Sequence, residues 1–64
     1  MTVYVVIGTY KGVVDYVSAF QRESAARVAM RDLAQVYGLV LDVHGHAVND
    51  SDNTIHLYEM EALA

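Results

Sequence analysis

The sequence predicts an α+β fold in two layers, of order ββαββ, with one helix packed across an antiparallel sheet. Three observations lead there. Two runs rich in β-branched and aromatic residues, TVYVVIGTY and VVDYVSAF, flank a Lys-Gly pair. Residues 21–37 then switch to a helical period and stop at a glycine. Residues 39–48 and 54–62 alternate apolar and polar around the turn-forming cluster NDSDN.

The first run, Thr2–Tyr10, and the second, Val13–Phe20, have strand composition. Lys11-Gly12 between them suits a two-residue hairpin turn, since glycine tolerates positive φ. With that two-residue loop, Val3, Val5 and Ile7 share a face with Val14, Tyr16 and Phe20. The opposite face then carries Tyr4, Val6, Tyr10, Val13 and Val17, with Gly8 and Asp15 among them. Both faces are largely apolar, whereas an antiparallel hairpin in a monomer usually has one wet face. Tyr4, Val6, Tyr10, Val13 and Val17 are therefore expected to meet a second copy of the chain.

In residues 21–37, Ala25, Ala26, Ala29, Met30, Leu33, Val36 and Tyr37 fall within an arc of about 140° on a helical wheel. Glu23, Arg27, Arg31 and Gln35 line the other side, with Glu23 and Arg27 at the favourable i, i+4 spacing. Gly38 is placed to cap the C-terminus. The start is less sharply marked, with Ser18 and Gln21 as the candidate caps. The alanines imply close approach to a sheet.

The last two runs form the second hairpin. If Val48 pairs Thr54 across the loop, Ala47 meets Ile55, His46 meets His56 and His44 meets Tyr58. Leu39, Leu41, Val43, Ala47, Ile55 and Leu57 make the apolar face; Asp42, His44, His46, Thr54, His56 and Tyr58 make the polar one. All three histidines thus gather through strand alternation alone. Imidazoles two apart on one strand and facing a third could also hold Zn²⁺ or Ni²⁺. His-Gly-His is not a specific motif, so His44, His46 and His56 are read first as surface or interface residues and only alternatively as a metal site. No cofactor is implied.

At 64 residues the chain makes one domain, residues 1–64, near the size at which burial and chain entropy cancel. It has no cysteine to staple it, yet 55% of its residues are hydrophobic. A homodimer or a protein partner is the expected outlet for that surplus. The formal charge is −4, which argues against direct binding to nucleic acid. All four cations lie in residues 1–37, while residues 38–64 carry Asp42, Asp50, Asp52, Glu59 and Glu61. An anionic mimic of nucleic acid is a further alternative on that account. No apolar run reaches the ~20 residues of a membrane span, and no basic segment precedes the first apolar run, so a cytoplasmic protein is expected. NDSDN lacks the spacing of a calcium loop. No serine lies in a nucleophile elbow and GTYKG is not a phosphate loop, so no enzyme is expected.

The succession of a strand, a glycine turn, VVDYVSAF, an alanine-rich helix ending in YG, an acidic loop and the strand HLYEMEA resembles small proteins of phages and mobile elements. Some of these inhibit host defence systems and are called anti-CRISPRs. The resemblance spans most of the chain and is one of pattern and size; no functional residue carries over. It implies a non-catalytic inhibitor that acts by binding. The expected contact residues for such a partner are Tyr58 and His56, as ring anchors, with Asp50 and Asp52 contributing charge around them.

Overall fold

The computed structural model describes residues 1–43, 49 and 51–61. Four elements follow one another: β1 (Thr2–Tyr10), β2 (Val13–Phe20), α1 (Glu23–Tyr37) and β3 (Thr54–Glu61). β1 is the central strand of an antiparallel sheet of order β2-β1-β3, and α1 lies across one face. The architecture is thus α+β with two layers, and the described residues form three strands.

The first hairpin turns at Lys11 and Gly12, whose φ values of 53° and 81° are both positive. That is the type I′ requirement, and its twist matches the flanking strands. The turn is tied to the segment before β3. The Lys11 N–H donates to Asn53 Oδ1 at 2.9 Å, and the Gly12 N–H donates to the Asp52 carbonyl at 3.0 Å.

The hairpin is not regular. Gly8 pairs with Tyr16, but Thr9 pairs with Val14, which leaves Asp15 as an extra residue on β2. This bulge reverses the parity of β2 beyond it. Tyr16, Ser18 and Phe20 therefore join Tyr4, Val6, Gly8 and Tyr10 on the helix side. Val14, Val17 and Ala19 join Val3, Val5, Ile7 and Thr9 on the other. The face pairing expected for an unbroken hairpin is corrected accordingly.

α1 begins two residues later than residue 21. Arg22, in extended conformation, is its N-cap, and its side chain makes no capping bond; Ser18 belongs to β2. Glu23 stands in the first turn, where the helix dipole favours an anion. It accepts from Arg27 Nη2 at 2.9 Å, as the spacing predicts. At the other end Gly38 takes φ 72°, its N–H reaches the Gln35 carbonyl, and the Leu39 N–H reaches that of Ala34. This pair of bonds is the Schellman termination.

The core gathers Val6, Ala26, Leu33, Ala34, Tyr37 and Ile55, with Tyr4, Tyr16, Phe20, Met30, Leu39 and Leu57 packed around them. The buried stripe of the helix is thus turned from the expected arc. Ala34 is inside, while Ala25 and Val36 are exposed. Gly8 makes the close approach possible. A Cβ there would lie 2.5 Å from both Leu33 Cδ2 and the Tyr37 hydroxyl oxygen.

The expected strand over residues 39–48 is not present in its described part. Residues 39–43 hold only an isolated bridge at Leu41 and a turn at Val43, and Val43 is almost wholly exposed. Leu39 folds back onto the core instead. The expected pairing of Ala47 with Ile55 has a competitor: the Ile55 N–H donates to Asn49 Oδ1 at 2.9 Å, and Asn49 Nδ2 donates to the Ile55 carbonyl at 3.4 Å. One asparagine side chain thereby occupies the outward backbone groups that a neighbouring strand would need at this point. His44, His46, Ala47 and Val48 lie outside the described residues.

A candidate protein-binding face

Because the helix covers one side of the sheet, the site question concerns the other. β1 contributes Val3, Val5, Ile7 and Thr9 to that face, and β2 contributes Val14, Val17 and Ala19. The β1–β3 register sets His56 beside Ile7, Tyr58 beside Val5 and Met60 beside Val3. No Asp, Glu, Lys or Arg stands among the described residues of this face. Val14, Val17, Tyr58 and Met60 are 60%, 63%, 47% and 54% exposed. None of these side chains joins the core cluster. A three-stranded face of eight residues measures roughly 14 by 26 Å, so the apolar surface is contiguous. The rings of His56 and Tyr58 lie 6.1 Å apart on it.

The residues expected to bind a partner are only partly brought together. Tyr58 and His56 are neighbours on the open face. Asp52 is at one end of the sheet, its carbonyl held by the Gly12 N–H, and Asp50 lies outside the described residues. Sequence alternation had placed Tyr58 and His56 on a polar face. The structure gives them apolar neighbours, because β1 runs beside them and sets Ile7 against His56 and Val5 against Tyr58.

The expected dimer surface is separated. Val6 is completely buried beneath α1, and Tyr4 packs against the same core. Tyr10 stacks on Tyr37 with ring centroids 5.2 Å apart. Val13 pairs with Tyr10 on the helix side beside the turn, and Val17 alone is on the open face. Two causes act together: the bulge at Asp15 moves Val17 to the opposite side, and the helix claims the face that holds Tyr4 and Val6. Sequence reasoning missed Val3, Val5 and Ile7 as members of the open face.

The helix side holds one polar contact of note. The Tyr37 hydroxyl donates to Asp15 Oδ2 at 3.1 Å. Burial, then this bond, then the nearby negative charge together push the Tyr37 hydroxyl up to about 12. The contact pins the bulge to the helix.

Among the described residues, the acidic side chains of β3 lie far from Asp52. Glu59 and Glu61 sit opposite Tyr4 and Thr2, whereas Asp52 is beside the Lys11-Gly12 turn at the far end of β1. These positions are roughly 25 Å apart. Glu61 also accepts from the N-terminal amino group at 3.1 Å. Among the described residues no group of three His, Cys, Asp or Glu side chains could hold a metal, and no helix is long and apolar enough to cross a membrane. Compared with known proteins, the chain matches no family model, no curated protein sequence and no solved structure.

Proposed function

We propose that this chain is a non-enzymatic protein-binding module that works as a homodimer and offers the open face of its sheet to a partner protein. The observation that carries the reading is the uncharged, contiguous apolar face of Val5, Ile7, Val17, Tyr58 and Met60. Exposed apolar patches of this extent mark interaction surfaces in small proteins. Tyr58 is the anchor: a large ring with a polar tip, surrounded by β-branched side chains that exclude water. His56 stands beside it, with ring centroids 6.1 Å apart. An inhibitor of a host defence system, as the resemblance to phage and mobile-element proteins implies, would act through such a surface by occupying a site on its target. No substrate has to be enclosed.

The test is affinity capture from a host lysate, with three baits compared. Wild type and Arg31→Ala should retain the same partner, and Tyr58→Ala should lose it while keeping its helical circular dichroism. In titration with the recovered partner, Tyr58→Ala should weaken binding by well over about 1 kcal/mol. Binding that survives Tyr58→Ala and fails with Arg27→Ala and Arg31→Ala would place the site on the outer face of α1 and overturn the reading.

A further inference from the structure

The sheet has two edges, and they differ. The β3 edge is closed at Ile55 by the Asn49 side chain. Further along it carries Glu59 and Glu61, so a second β3 laid alongside would bring like charges together. The β2 edge has no lysine, arginine or proline, and its single charge, Asp15, sits in the bulge. Such an edge is a template for another strand.

The register shows which backbone groups face outward. Ile55 turns its N–H and carbonyl to Asn49, so Ile55 and Gly8 are a pair without mutual hydrogen bonds, and Gly8 directs its own groups at β2. Alternation along β2 then turns Tyr16, Ser18 and Phe20 toward β1 and leaves the N–H and carbonyl groups of Val17 and Ala19 pointing away from the sheet. No backbone bond from a described residue meets them.

We infer that the β2 edge binds a second copy of the chain, strand to strand and antiparallel, about a two-fold axis at Ser18, giving one continuous sheet of two chains. This register sets Val17 opposite Ala19 of the second copy, so their outward donors and acceptors satisfy each other on both sides of the axis. Moving the axis to Val17 would set Ala19 against the bulged Asp15, and moving it to Ala19 would set Val17 against Gln21, past the strand end. With the axis at Ser18, Tyr16 faces Phe20 of the second copy, a favourable aromatic pair. Tyr16 and Phe20 line the largely apolar groove of about 430 Å³ between β2 and α1, together with Ala25, Val28 and Val36, so the rings of the second copy come against its open side. Val28 and the 75%-exposed Val36 gain cover there. The two helices lie on the same side, and the two open faces join into one surface for the partner.

This inference rests on the self-association proposed above and adds its geometry. The chain has no cysteine, so a single introduced one reports one contact. Ser18→Cys should form a disulfide-linked dimer on mild oxidation, and Glu59→Cys should not. Ser18→Lys and Ser18→Glu should each sediment as monomers, and an equimolar mixture should recover the dimer. Val36→Lys, at an exposed helix position, should weaken the dimer at least tenfold with its circular dichroism unchanged, and serves if the Ser18 variants fail to fold. A wild-type monomer at high micromolar concentration would overturn both this geometry and the self-association. A dimer that cross-links through Glu59→Cys, or resists Ser18→Lys and Val36→Lys, would overturn the geometry alone.

Discussion

Gly8 and Tyr37 show how much of the packing rests on single residues. At Gly8 the helix sits directly on the strand, and a methyl group would collide with Leu33 and with the Tyr37 hydroxyl. Gly8→Ala is therefore expected to cost about 1–3 kcal/mol through overpacking, read as a lower urea midpoint. A neutral result would mean that α1 is not seated there. Tyr37→Phe removes the bond to Asp15 and should cost about 1 kcal/mol. The pH dependence follows from the sign of the shift. Tyr37 is neutral below its pKa, and the folded state raises that pKa from 10.0 to about 12. The folded state thus favours the protonated phenol, so this contribution is complete below about pH 10 and is lost as pH rises toward about 12. Denaturant melts across that window should show wild type losing stability relative to Tyr37→Phe.

At the scale of elements, the ends are set by a few local contacts. Gly38 terminates α1 with φ 72°, and nothing lies within 4 Å of where its Cβ would be. Gly38→Ala should then cost about 1 kcal/mol from backbone conformation alone, without any clash. The start of β3 depends on Asn49, which satisfies both outward backbone groups of Ile55. Asn49→Ala leaves those groups to solvent or unpaired and should cost about 1–2 kcal/mol, with faster amide exchange at Ile55. Asn49→Asp keeps the acceptor for the Ile55 N–H and loses the donor to its carbonyl, so it should fall between the two. If Asn49→Ala left both stability and exchange unchanged, the clamp would have no energetic role.

At the scale of the molecule, one helix can cover only one side of a three-stranded sheet. Val6 is the one large side chain among the described residues that is completely buried. The apolar residues left over are grouped on the open face and along the β2–α1 groove, and both proposed contacts draw on them. The histidines enter at this scale too. His56 has cross-strand neighbours that account for its position without a ligand. Zn²⁺ and chelators are therefore expected to leave the melting temperature unchanged. A site specific to the folded state would add about 2.7 kcal/mol at a ligand concentration 100-fold above its Kd, a shift that calorimetry would register plainly.

The sequence by itself determined what neighbouring residues decide among themselves: the Lys11-Gly12 turn, the first two strands, the Glu23–Arg27 pair, the Gly38 cap and the β-forming run that became β3. Each depends on the conformational freedom or side-chain reach of residues within one turn or one hairpin. Only the tertiary structure decided the bulge at Asp15, the pairing of β3 with β1, and the choice of Tyr4, Val6 and Gly8 for the core over Val3, Val5 and Ile7. The two faces of β1 are nearly alike in composition, so local propensity cannot rank them. The choice turns on Gly8, the one position where a strand without a side chain lets Leu33 and Tyr37 come down onto the backbone. Once the helix has taken that face, the other is left for a partner.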